Sequence, residues 1–358
     1  MRITHNIFSH LSVVTKYRFQ TILFIALFWT LTDTVVVLTL SGLPKHSTTN
    51  GFILREVIVL LMSLIMGYLL VFTLRKIFRN FYLWSALLIK SVILIAAAFL
   101  MNLLLFSVNS VSILGVPVKN VFHFFYGEEF QTHLLLQKIF YWLILFVITQ
   151  LVIEINEKYS PGVFMNILFG KYTKPKVEKR IVMFIDIKDS TTIAEKLGHQ
   201  LFFTFIKEFI YHVSNALIEY GGRIYQYVRD EIVVSWILNE SNCKKCMKAL
   251  IEARKNLQQN GEHFRRIYNT IPEFRVGIHC GDVTVGEIGV IKKDLAMSGD
   301  TMNTTARIRS ACSELNQKFI VSKDFLNTLN LEEWQTESLG MVELKGKAKE
   351  IELFCLKI

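Results

Sequence analysis

The chain has 358 residues, 52% of them hydrophobic, and a formal net charge of +10. With a mean hydropathy of +0.37, it is too apolar for an ordinary soluble protein of this length. The basic excess reads as Lys and Arg at the cytoplasmic ends of membrane helices; without an aromatic-and-basic array to stack bases, no nucleic-acid partner is expected.

Apolar residues crowd the first half and charged residues the part after Tyr172. The expected division is a transmembrane domain over 1–158, a coupling linker bearing Pro, Gly and Lys over 159–179, and a soluble domain over 180–358 with its own core. A bilayer-spanning helix needs roughly 20 mostly apolar residues. Four stretches qualify, 21–43, 57–74, 83–108 and 139–155, and lipid leaves their backbone no partner but itself, so all four should be helical. Arg2, Lys16 and Arg18 precede the first span, and Arg75, Lys76 and Arg79 follow the second. Positive charge stays inside, so both termini face the cytoplasm of a multi-pass protein of the cell (inner) membrane. The first apolar stretch is too long for a cleaved signal peptide. Asp33 and Lys90 fall inside the first and third spans, where a charge is costly. A helix-helix pair or bundle site and snorkelling both stay open. The loop 109–137, with His123, Glu128, Glu129 and His133, reads as solvated.

The five cysteines all lie in the soluble half. An odd, scattered set argues for free thiols in a reducing cytosol. Cys243 and Cys246 form a C-x-x-C without the second ligand pair a zinc site needs, and read as two cysteines on one helix face.

In the soluble half, 181–185 is a continuous apolar run ending at Asp186, the pattern of a strand buried on both faces. Residues 189–192, with Glu195 three after Thr192, resemble a capping box opening a helix. A second helix over 199–220 ends at Gly221-Gly222. The β-rich runs 223–228 and 231–237 flank Arg229-Asp230 as a hairpin. A helix over 243–259 follows. The runs 274–280 and 283–288 flank Gly281-Asp282 and read as a second hairpin. The segment 294–300, D-x-x-x-S-G-D, precedes a helix over 302–313, and 342–344 and 351–357 read as closing strands. The sum is α+β, with helices on an antiparallel-rich sheet.

Two constellations carry chemistry. Asp186 ends a buried strand and Asp230 sits at a hairpin tip. If the hairpin pairs beside that strand, the carboxylates converge near a helix N-terminus, as a divalent metal with phosphate requires. Asn303 and Arg307 are four apart on a helix and share one face; Arg suits the charge of a phosphoryl-transfer transition state.

The segment Phe184-Ile185-Asp186-Ile187-Lys188-Asp189-Ser190-Thr191 resembles the first metal motif of class III nucleotide cyclases, the adenylate and guanylate cyclases. Tyr227-Val228-Arg229-Asp230-Glu231 resembles their second metal motif, and Ser298 to Arg307 their G-D-x-x-N-x-x-x-R segment. The resemblance implies a cyclase domain of ferredoxin-like type over 180–358, acting on ATP. It implies two Mg²⁺ or Mn²⁺ held by Asp186, Asp230 and the Ile187 carbonyl, with Asn303 orienting the ribose and Arg307 stabilising the transition state. Lys345 or Lys347 would hold the terminal phosphates, Gln226 and Ala296 stand where the purine is selected, and a head-to-tail homodimer would share two sites.

Three departures matter. Adenylate cyclases commonly have Lys and then Asp or Thr where Gln226 and Ala296 stand, and guanylate cyclases Glu and Cys. The Gln amide serves either purine. Arg229 replaces a usual Gly in a turn that tends to need φ > 0, which keeps a catalytically degenerate receptor or scaffold open as the alternative. A diguanylate cyclase is set aside because its G-G-[DE]-E-F signature is absent.

Overall fold

The computed structural model describes residues 13–41, 49–74, 77, 83–112, 116–125, 133–158, 170–290, 294–329, 335–347 and 349–358. The chain separates into two units, built mainly from Thr15–Lys158 and from Tyr159–Ile358.

In the first unit the apolar runs are helices, which satisfy their backbone groups internally: α1 (Val13–Val36), α2 (Thr49–Tyr68), α3 (Leu83–Ser112) and α4 (His133–Lys158). Three segments are long and apolar enough to cross a membrane, Thr15–Thr39, Phe52–Leu74 and Leu88–Val108, and α4 contributes the shorter apolar stretch Ile139–Ile153. Leu23, Leu31 and Val92 point outward while Trp29, Phe146 and Met101 are buried. The inside is packed by large side chains, with Trp29 and Phe146 rings 4.6 Å apart. The Trp29 indole also donates to Thr149 Oγ1 at 2.8 Å. The partner of Asp33 is Arg55, at 2.9 Å: a buried acid stays in place when a guanidinium answers it. The stretch expected as a loop over 109–137 is largely helical where described: 109–112 end α3, 121–125 form a short helix with His123 exposed, and 133–137 begin α4, while 113–115 and 126–132 lie outside the described residues.

The second unit is an eight-stranded sheet ordered β2-β3-β1-β4-β6-β8-β7, with β5 also pairing to β4. Its strands are β1 (Lys176–Ile187), β2 (Arg223–Val228), β3 (Glu231–Ile237), β4 (Phe274–Ile288), β5 (Asp294–Ser298), β6 (Phe319–Ser322), β7 (Thr336–Val342) and β8 (Ile351–Leu356). Only the β4–β6 pairing is parallel, so the sheet is mixed. The apolar run of β1 is buried on both faces, with Ile181, Met183 and Ile185 at 0% exposure. Their face packs against Phe205, Phe209 and Val213 of α5 (Ser190–Glu219) and Cys246 and Leu250 of α6 (Glu240–Gln259). Each such side chain taken from water contributes about 1.5–3 kcal/mol. A short α7 (Gly261–Tyr268) closes that layer. On the other face Val182, Phe184 and Val233 meet Met302 of α8 (Asp300–Glu314), and α9 (Lys323–Thr328) follows β6. All five cysteines are free and buried, and Cys243 and Cys246 belong to the core.

Three local expectations are corrected. The second hairpin does not form: β4 runs unbroken through Gly281-Asp282. Gly281 is needed for clearance instead, because a Cβ there would lie 2.6 Å from Thr301 Oγ1. The capping box is also absent. Helix α5 starts at Ser190 behind Asp189, which takes φ 57° and gives no side-chain cap, and the helix breaks at Gly198 (φ 70°, ψ 168°). Residues 343 and 344 lie beyond the end of β7. Of the segment expected as linker, 159–169 lies outside the described residues and 176–179 already belongs to β1.

Candidate active site

Strand pairing decides what meets Asp186. Its cross-strand partner on β3 is Glu231 and on β4 Arg275, so all three share one face of the sheet. Asp230 stands beside Glu231 in the β2–β3 turn. The turn is made by Arg229 at φ 57°, the left-handed conformation that a non-glycine residue adopts at a cost. Asp230 reaches Asp186: its charge and a side-chain hydrogen bond between them add to the larger effect of burial, and the Asp186 carboxyl is pushed up to about 6 despite the opposing charge of Arg309. Glu231 is raised too, chiefly by burial, against the opposing pull of Arg309. Glu231 is taken up by Arg309, and among the described residues no group of three or more acidic, His or Cys side chains is placed to hold a metal by itself. Asp186 and Asp230 are a pair of oxygen donors, the sparse set that suits a divalent cation only when substrate phosphates complete its shell. Ile187, which ends β1, has its side chain in the core.

One guanidinium enters this cluster. Arg309 Nη1 lies 3.2 Å from Asp186 Oδ2 and Nη2 2.7 Å from Glu231 Oε2. Sequence reading missed Arg309. The signal was there, since Thr301, Thr305 and Arg309 recur every four residues on one face of α8. That face lies on Gly277 and Gly281, themselves on one side of β4. A Cβ on Gly277 would come within 2.4 Å of the Arg309 amide nitrogen, so the missing side chain lets the helix descend onto the strand. Thr301 Oγ1 donates to the Asp282 carbonyl at 2.8 Å, and His279, between the two glycines, is buried with Nδ1 2.7 Å from Ser322 Oγ.

Asn303 and Arg307 lie on the other side of the helix, about 200° around from 301 and 305. Arg307 lines a cavity of about 440 Å³ with Ser310, Glu343, Leu344, Lys345 and Gly346. Within one chain, therefore, the aspartates meet each other but not Asn303 and Arg307. Lys345 joins Arg307 at the cavity, whereas Lys347 Nζ is 2.6 Å from Asp300 Oδ2. Gln226 pairs with Val233 and Ala296 with Gly286. Their neighbours Tyr225, Leu295 and Met297 meet in one apolar cluster, so the strands carrying the two positions approach each other. Helix α5 begins next to Asp186 with no side-chain cap, which leaves amide donors for an anion.

Residues 172–357 match the model of the adenylate and guanylate cyclase catalytic domain. The chain belongs to that family. It is 30% identical over 207 residues to adenylate cyclase 2 of Rhizobium meliloti, covering 57% of each chain. To an adenylate cyclase of Anabaena cylindrica it is 23% identical over 214 residues, 56% of this chain and 42% of that one. The chain thus spans about half the length of these relatives. A bacterial light-regulated adenylyl cyclase structure superposes with a TM-score of 0.54 at 18% identity, over 65% of this chain and 67% of that one, a likeness of fold.

Proposed function

We propose that this chain is a membrane-bound adenylate cyclase that converts ATP to 3′,5′-cyclic AMP and pyrophosphate for signal transduction. The observation that carries the reading is the meeting of Asp186 and Asp230 across β1 and the β2–β3 turn, in a chain of the cyclase family. Two Mg²⁺ or Mn²⁺ held by Asp186, Asp230 and the Ile187 carbonyl would supply activation of the ribose 3′-hydroxyl and neutralisation of phosphate charge. The hydroxyl gives up its proton, its oxygen bonds the α-phosphorus, and the bond to the pyrophosphate oxygen breaks. Asn303 orients the ribose and Arg307 meets the transition-state charge. Lys345, beside Arg307 at the cavity, takes the terminal phosphates in preference to Lys347, which Asp300 holds. Gln226 and Ala296 face the purine.

Because Asn303 and Arg307 point away from the aspartates of their own chain, each site is completed by a second copy in a head-to-tail homodimer. The strand order β2-β3-β1-β4, with α5 and α6 packed on one face, supports the ferredoxin-like reading of the core. Four membrane spans, with α4 as the fourth, return the catalytic domain to the cytoplasm, where nucleoside triphosphate is found. The Gln226 amide, able to donate and accept, serves either purine, which keeps GTP as the second reading of the substrate.

The test is product formation by purified full-length protein with Mn²⁺, supplied with ATP and GTP in separate assays and with Asp186→Ala as control. Cyclic AMP that vanishes in the control is expected. Cyclic GMP would replace the substrate, and no product from an intact dimer would favour the degenerate receptor.

A further inference from the structure

Asp186 and Glu231 are direct cross-strand partners, and like charges so placed repel. Asp230 adds a third carboxylate. The cations near this face have different partners: Arg275 is directed to Asp189, at 3.8 Å, and Lys188 to Glu273, at 3.2 Å. Arg309 alone among the described ion pairs bridges the two opposed carboxylates. It is held there by the helix-on-glycine packing described above, so its backbone cannot swing away.

Its two contacts are unequal, 2.7 Å to Glu231 and 3.2 Å to Asp186. Arginine is a planar fork with several donors and no way to lose its charge. It can therefore give up Asp186 and keep Glu231 by turning only its end. A divalent ion arriving at Asp186 meets both the repulsion of this cation and its grip on Oδ2.

We propose that Arg309 is a tethered counter-cation. It neutralises the carboxylate cluster in the metal-free chain, retreats onto Glu231 when metal arrives, and so keeps metal affinity low until nucleotide phosphates bring the ion. Arg309 is thus a positioning residue that makes metal loading depend on substrate. This rests on the reading of Asp186 and Asp230 as metal ligands.

The experiment is a Mn²⁺ titration of purified full-length protein without nucleotide, following free Mn²⁺ by its electron paramagnetic resonance. Arg309→Met removes the charge but keeps an aliphatic stem. Arg309→Gln keeps donors without charge and covers the case in which Met disturbs the packing. Both are expected to bind Mn²⁺ about tenfold more tightly, the effect of removing one nearby like charge. They should also melt earlier in EDTA, and the loss should be reversed by Mn²⁺. A residue that merely props up the fold would weaken binding instead. Asp186→Asn separates the two readings. If neither the wild type nor the Arg309 variants show Mn²⁺ binding that adding Asp186→Asn removes, the metal-site reading fails and the Arg309 role with it. If Asp186-dependent binding is present and neither Arg309 variant tightens it, only the role of Arg309 is overturned.

Discussion

The two sides of α8 do different work. The inward side carries Thr301, Thr305 and Arg309 onto the bare backbone of Gly277 and Gly281 and delivers a cation to the carboxylates. The outward side carries Arg307 toward the loop of Glu343, Leu344, Lys345 and Gly346 and leaves Asn303 exposed. Side chains two positions apart on a helix face nearly opposite ways, so one helix cannot turn both sets to the same substrate. In the proposed homodimer, residues of one motif would then serve two different sites.

The sharpest way to break this comparison is mixing. Asp186→Ala and Arg307→Ala should each lower cyclase activity on the order of 10²- to 10³-fold, as losing one transition-state donor does. Mixed in equal amounts and allowed to exchange, they should recover about a quarter of wild-type activity, since half the dimers then hold one intact site of two. No recovery, with exchange shown by differently tagged copies, would place both sets of residues in one chain's site.

The inward side is tested by Gly277→Ala. The added methyl has no room against the Arg309 amide, and overpacking of this kind costs about 1–3 kcal/mol. Chemical denaturation should show that loss. A variant as stable as the wild type would mean that α8 is free to lift.

His279 gives a pH signature for the same interface. Burial is the largest effect on its ring and holds its pKa below the usual value, opposed by the charge of Asp324; Lys347 depresses it further and Asp300 raises it. A depressed histidine is neutral when folded and takes up a proton more readily when unfolded. Its contribution is therefore complete above the unfolded value of about 6.5 and is lost as pH falls below it. Melting temperature should fall on acidification through this window, and His279→Gln should flatten the fall. An unchanged slope would assign the pH response elsewhere.

The smallest effect is expected at Arg229. Its φ of 57° costs about 1 kcal/mol for a residue with a Cβ, partly offset by the chain entropy that glycine loses. Arg229→Gly should raise cyclase activity and leave stability the same or slightly higher. Activity unchanged or lower would show that the turn is not a brake on the site.

Much of the site was legible in the sequence because its signals are local. The hairpin 223–228 and 231–237 is where the β-rich runs put it, and the unbroken apolar run before Asp186 is a strand buried on both faces. The need for φ > 0 at Arg229 followed from the length of the turn. The errors came where a glycine had two meanings. Gly281-Asp282 looks like a turn, but a glycine serves close approach equally well, and only the helix lying on β4 decides between them. Likewise Asp189-Ser190-Thr191-Thr192 carries cap-forming residues, yet the helix starts before Thr192 and its end stays uncapped.

By itself the sequence determined the apolar helical half, the strand-and-hairpin frame of the other half, and the aspartates at its tips, since each depends on residues close together in the chain. Tertiary structure alone decided that Asp186 opposes Glu231, that Arg309 bridges them, that Asp33 takes Arg55, and that Asn303 and Arg307 face away. Those facts depend on strand register and on how near a helix can come to a sheet. Both are fixed by packing between segments distant in sequence, where no local pattern records the distance.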